Sequence, residues 1–286
     1  MPKARPVAIF DDTHGQPNWR QTGFPSRELD TNCSGLADVL RGMGYNCRNI
    51  RPGLLLDRLS HARLLVIPPP TGYYDPPRQT WQRLTSSLFT PAEVRDILRF
   101  INDGGRLLAF AYRFGDSFTR TNLQDLFALL GCRLNHDAII DVTQLRELHP
   151  LQLHFETPCD ALPMPWSTAG VETVCWRAVA SFSILPTATV RPLALSPGGR
   201  CISFDCVQRR ISFLSWPIAV VGVLGRGRYV LVGGPHVFET GPFGLLGVAD
   251  NRRFLQNVLD WLLNGEGSKL ETVAPGQEPE LAALHA

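Results

Sequence analysis

Side chains able to do chemistry collect in four short stretches, each following an apolar run. FDDTHGQPNWR offers Asp11, Asp12, His14, Gln16, Trp19 and Arg20, and PPPTGYY offers Tyr73. YRFGD offers Tyr112, Arg113 and Asp116, and GGPHVFE offers His236 and Glu239. Such a set could work as a recognition surface, with Trp19 and Tyr73 supplying contact area and Arg113 a fork for an anion. It could also work as a hydrolase with water as nucleophile. His14 or His236 would then be the general base, Asp11 or Glu239 would orient the ring, and Arg113 would stabilise a developing anion. A divalent cation held by Asp11, Asp12 and Asp116 is a variant of that chemistry, because hard cations favour carboxylate oxygens. Each residue also has a plain structural use. Strand-end aspartates cap turns, a lone histidine is more often hydrogen-bonded than catalytic, tryptophan packs, and Arg113 can pair with Asp116 or Asp12.

A covalent mechanism lacks its centre. A thiol or serine enzyme on an α/β sheet carries Gly-x-Cys/Ser-x-Gly at a sharp strand-to-helix turn. None of the 7 cysteines has glycine both two before and two after it. Ser196, in ALSPG, reads as a turn. In FAYRFG the elbow position falls on Tyr112 or Arg113, and a phenol of ordinary pKa, about 10, is a poor acyl nucleophile at neutral pH.

The elements that must position these residues can be read from pattern. PVAIFDD (6–12) is a buried strand and DTNCSGLADVLRGMGY (30–45) a helix ended by Gly44; NCRNI is a second strand and ARLLVIPPP (62–70) a third, stopped by prolines. FTPAEVRDILRFINDGG (89–105) predicts a helix with Thr90 as N-cap, Pro91 in the first turn and Glu93 completing a capping box. RLLAFAY (106–112) is a fourth strand, TNLQDLFALLGC (121–132) a helix and AIIDV (138–142) another strand. GRGRYVLVGGPHVF holds a late buried strand, and DNRRFLQNVLDWLLNG a helix with Asp250 as N-cap. The β-α-β-α order implies a flavodoxin-like or Rossmann-like α/β fold, a parallel sheet with helices on both faces. Residues 143–215, short apolar stretches broken by Pro and Gly, are expected to be β-rich decoration on one domain spanning 1–264, with 265–286 a flexible tail. In such sheets ligands bind outside the carboxyl ends of the strands, where the four polar stretches would converge.

Composition narrows the partners. A chain of 286 residues, 44% hydrophobic, can bury a sizeable core. A net charge of +2 gives no basic stripe, which argues against direct nucleic-acid binding. No apolar run approaches the roughly 18 residues of a membrane span. Seven cysteines without C-x-x-C spacing or a signal peptide read as reduced thiols, so a soluble, cytoplasmic protein is expected.

The strand VAIFDD with its His-containing loop resembles the first unit of class I glutamine amidotransferase-like domains. More narrowly, it is similar to the branch shared by gliding-motility transporter-associated proteins and an intraflagellar-transport subunit. FTPAEVRDILRFINDGGRLLAF, GRGRYVLVGGPHVFE and DNRRFLQNVLDWL resemble that branch's helix, late strand and closing helix. The likeness covers 6–263 in scattered blocks, the closing one being the most specific. The resemblance implies a His and a Glu after the late strand. His236 and Glu239 sit about there, one residue further apart than in the enzymes, whose elbow cysteine has no match here. It therefore implies a non-catalytic module that binds a small ligand or a protein partner in an assembly and needs no cofactor. The long loop THGQPNWRQTGFPSREL departs from that branch and is richer in functional groups than a connection requires.

Overall fold

The computed structural model describes residues 5–11, 13–14, 33–50, 56–70, 73–75, 80–82, 88–144, 154–177, 179–186, 189–240 and 244–265. In chain order, the first half runs β1 (Val7–Asp11), α1 (Ser34–Gly42), β2 (Asn46–Ile50), α2 (Leu56–Leu59), β3 (Ala62–Ile67), β4 (Tyr73–Asp75), β5 (Thr80–Gln82), α3 (Pro91–Asn102), β6 (Arg106–Phe110), α4 (Gly115–Thr119) and α5 (Leu123–Leu129). It continues with β7 (Cys132–Leu134), β8 (Asp137–Asp141), β9 (His154–Pro158), β10 (Thr173–Arg177), β11 (Phe182–Ile184), β12 (Val190–Leu195), β13 (Cys201–Asp205), β14 (Arg210–Ser212), β15 (Pro217–Leu224), β16 (Gly227–Val232) and α6 (Asn251–Asn264).

A seven-stranded sheet in the order β12-β15-β16-β6-β3-β1-β2 organises the fold. β2, β1, β3, β6 and β16 run parallel, and β15 and β12 are antiparallel additions beyond β16. Two-residue alternation divides these strands between two cores. Ala8, Phe10, Leu64, Val66, Leu108, Phe110, Val230 and Val232 face one side, where Leu36 and Leu40 of α1 and Phe254, Leu255, Val258 and Leu259 of α6 cover them. Ile9, Leu65, Ile67, Leu107, Ala109 and Leu231 face the other, under Val94, Ile97 and Ile101 of α3 and Leu126 and Phe127 of α5. Both faces are thus closed by helices.

α3 begins as the sequence dictates. Thr90 Oγ1 accepts from the Glu93 amide at 3.2 Å, and Glu93 Oε2 accepts from the Thr90 amide at 2.9 Å. The closing helix begins differently. Asp250 stands at its N-cap without a capping hydrogen bond. Its carboxylate instead accepts from the amides of Glu172 and Thr173, at 2.9 and 3.2 Å, which holds it below the usual carboxylate range. The fully buried Asn251 accepts from the Cys175 amide at 2.8 Å and donates to the carbonyls of Cys175 and Val237, at 2.9 and 3.2 Å. Asn257 donates to the carbonyls of Ser167 and Ala169, and Trp261 stacks on Trp166 at 5.0 Å. The DN..F..N...WL block is therefore a clamp that fastens the middle segment to α6.

Two strand expectations are corrected, and one strand is added. AIIDV does not extend the parallel sheet; as β8 it pairs antiparallel with β13 in a separate sheet ordered β14-β13-β8. The stretch PLALS is not decoration, because β12 is an edge of the main sheet. PIAVVGVL, unassigned by pattern, forms β15, joined to β16 by a tight turn at Gly225 and Arg226. Short apolar runs do not reveal their partners, and β12 and β8 look alike until pairing is known. The tail beyond 265 lies outside the described residues.

Candidate functional site

At the end of β1 the chain turns at once into the second core. Asp11 Oδ1 accepts from the Thr13 amide at 2.9 Å, a turn that aims His14 inward. His14 Nδ1 lies 2.7 Å from Asp11 Oδ2, and its Nε2 lies 3.4 Å from Glu93 Oε1. The ring also stacks on Phe89, centroids 3.9 Å apart. Asp11, His14 and Glu93 are 2, 1 and 6% exposed, so the cluster faces no solvent. Burial by itself opposes a charged imidazole, but the hydrogen bond and charge of Asp11 and the charge of Glu93 outweigh it, and the pKa of His14 ends above its ordinary value. The arrangement is an imidazole held between two carboxylates, tying the end of β1 to the first turn of α3.

A second group stands where β6 and β16 end side by side. After β16 the backbone passes so close to the Ala180 carbonyl that a side chain on Gly233 would collide with it. His236 follows, its Nδ1 2.7 Å from Glu239 Oε2. After β6, Tyr112 presents its ring edge-on to His236, centroids 5.8 Å apart. Burial pushes the Tyr112 phenol up, so it stays neutral. Phe114 adopts left-handed backbone, φ 62°, and starts α4. This sharp turn sets the Arg113 guanidinium over the rings of Tyr112, Phe114 and Phe118, at 5.7, 5.9 and 5.7 Å. Its Nε is buried without a hydrogen-bond partner. A cation over three π faces, with no carboxylate paired to it among the described residues, can receive an anionic group.

Sequence reasoning thus splits in two. Tyr112, Arg113, His236 and Glu239 come together, whereas Asp11 and His14 are enclosed with Glu93. Asp116 does not join them. Its Oδ1 accepts from Thr121 at 2.6 Å and its Oδ2 from the Gln124 amide at 2.8 Å, so it braces α4 against α5, and burial raises its pKa. The expected pairing of Arg113 with Asp116 is not formed. Asp12, Gln16, Trp19 and Arg20 lie outside the described residues, as does the side chain of Tyr73, whose backbone begins β4. Among the described residues no cluster of His, Cys, Asp and Glu is arranged to hold a metal ion, and no helix is long and apolar enough to cross a membrane.

Three further residues had no reading in the sequence. Glu93 was legible as a cap but not as a partner of His14, because only the fold brings α3 to β1. Cys33, directly before α1, lies near enough to Glu239 to feel its charge; burial first and that charge second push its thiol far up, so it is no thiolate. Arg177, at the end of β10, and Tyr112 influence each other's ionisation. All seven cysteines are free thiols, and none is hydrogen-bonded to an imidazole among the described residues. Phe114 and Phe118, one and five residues after Arg113, were a readable sign of its aromatic surroundings.

These features define an α/β domain whose mostly parallel sheet carries Tyr112 and Arg113 at the turn after β6. Among solved structures, the mmIFT52 N-terminal domain shares the fold at TM-score 0.65 and 18% identity, over 91% of this chain and 99% of that one. A ThuA-like protein from Bacteroides uniformis follows at TM-score 0.50 and 12% identity, covering 94% of this chain and 98% of that one. The resemblance read from the sequence is met at the level of the fold. No protein-family model and no curated protein sequence matches the chain.

Proposed function

We propose that the protein is a non-catalytic binding module, and that the rim formed by Tyr112, Arg113 and His236 receives an anionic group of a small ligand or a protein partner. One observation carries this reading. The Arg113 guanidinium sits at the elbow over three aromatic rings, and no carboxylate among the described residues is paired with it. An arginine so placed offers planar, charge-assisted hydrogen bonds to a carboxylate or phosphate. The test is thermal stability in the presence of a panel of carboxylates, phosphates and acidic peptides. A ligand at about a hundred times its Kd should raise the melting temperature by about 5–10 °C. Arg113→Gln should melt without responding to that ligand. A response of equal size in the variant rejects the rim as the binding surface.

A second reading is kept by the His236–Glu239 pair, which has the geometry of a base and its orienting carboxylate. In that reading water is the nucleophile and Arg113 stabilises the anion. Turnover of amide, ester or phosphate substrates that disappears in His236→Gln would favour it over the binding module.

A further inference from the structure

The β13–β14 hairpin leaves a concentration of apolar surface uncovered. Val207, Ile211, Phe213 and Leu214 are 60, 56, 64 and 48% exposed, whereas Met43 and Leu129 are scattered elsewhere. β14 is the last strand of its sheet, and nothing among the described residues pairs with its outer edge. Edge strands of this kind are normally blunted by a cover, a bulge or inward charge. Here Arg209 and Arg210 are exposed beside the apolar residues, and neither is in an ion pair among the described residues. The neighbouring carboxylate, Asp205, is committed to the turn, where it accepts from the amides of Val207 and Gln208 at 2.8 and 2.7 Å. The edge is therefore apolar and positive. Ile211 is the cross-strand partner of Phe204, whose ring meets Phe114 edge-on at 6.3 Å, so the strip runs back to the turn that holds Arg113.

We propose that the outer edge of β14 takes up an extended segment of a partner protein as an added strand, and that this segment alternates apolar and acidic residues. Backbone hydrogen bonds to the open edge supply affinity, Ile211 and Phe213 supply apolar contact, and Arg209 and Arg210 select the acidic side chains. A second copy of this chain would bring a second pair of arginines to the same edge, whereas an acidic segment offsets the charge already there. The surface is separate from the rim reading above and stands or falls without it.

The probe is a short blocked peptide of alternating glutamate and valine, measured by fluorescence anisotropy against the full chain, with a lysine–valine peptide as comparison. The glutamate peptide should bind and the lysine peptide should bind at least about tenfold more weakly. Arg209→Glu with Arg210→Glu should reverse that order, and Phe213→Ser should abolish binding. These positions are exposed, and circular dichroism confirms that each variant stays folded. The proposal is overturned if both peptides bind equally or not at all, or if Phe213→Ser binds unchanged. It is also overturned if Phe213→Ser instead abolishes self-association in sedimentation, or if single-stranded oligonucleotides compete for the edge.

Discussion

His14 is placed to hold a proton rather than to exchange one with a substrate. Its pKa is raised above 6.5 in the folded state, so folding binds a proton that the unfolded chain releases as pH climbs. The stability it contributes is complete below about 6.5 and is lost as pH rises through the higher folded value. Thermal melts of the parent should therefore decline as pH rises above about 6.5, and those of His14→Gln should lose this part of the slope. His14→Ala removes the imidazole that lies between the Asp11 and Glu93 carboxylates and stacks on Phe89, and chemical denaturation should show a loss of about 2–5 kcal/mol. A histidine three residues after a strand-end aspartate was legible as a feature of the first loop, but its role was not. A base poised for water and an imidazole locked in a core have the same local sequence, and the second carboxylate comes from the first turn of another helix. At the β6 elbow the sequence was a better guide, since the lack of Cys or Ser at Tyr112–Arg113 needs no coordinates to be seen.

The elements most easily read were those whose ends carry their own chemistry. α3 has its complete capping box, Gly44 takes the left-handed conformation after α1 at φ 89°, and three prolines follow β3. What escaped was pairing. β15 and β12 are apolar runs like those of the parallel strands, and nothing in them announces an antiparallel edge. The asparagines of α6 show the same limit, since their partners lie on β10 and the segments around it. Asn251→Ala should cost on the order of 3 kcal/mol in chemical denaturation, because it strands a buried amide and two carbonyls at once. Asn264→Ala, which removes only an exposed bond to Asp260, should lie within about 0.5 kcal/mol of the parent. Equal effects at the two positions would mean that α6 is not fastened through its first turn.

Across the molecule the thiols report how tightly the two cores are closed. Cys159 is exposed, Cys33, Cys47 and Cys206 are partly covered, and Cys132, Cys175 and Cys201 are buried. Burial raises Cys132 and Cys201 to about 12 and Cys175 to about 11. In a native titration with a chromogenic disulfide, Cys159 should react first and these three only on unfolding. A fast reaction at Cys33 would contradict both its burial and the non-catalytic reading. The placement of α6 has a further consequence during synthesis. Its Phe254, Leu255, Val258, Leu259 and Leu262 leave the ribosome after every strand of the sheet, yet they roof a face whose strands begin near residue 8. Until that lid emerges, Phe110, Trp176 and Phe238 remain wetted, and each large side chain so exposed forgoes about 1.5–3 kcal/mol. A premature stop anywhere before residue 250 would therefore yield a sticky nascent product, a substrate for chaperones and proteases, and not a shorter working version.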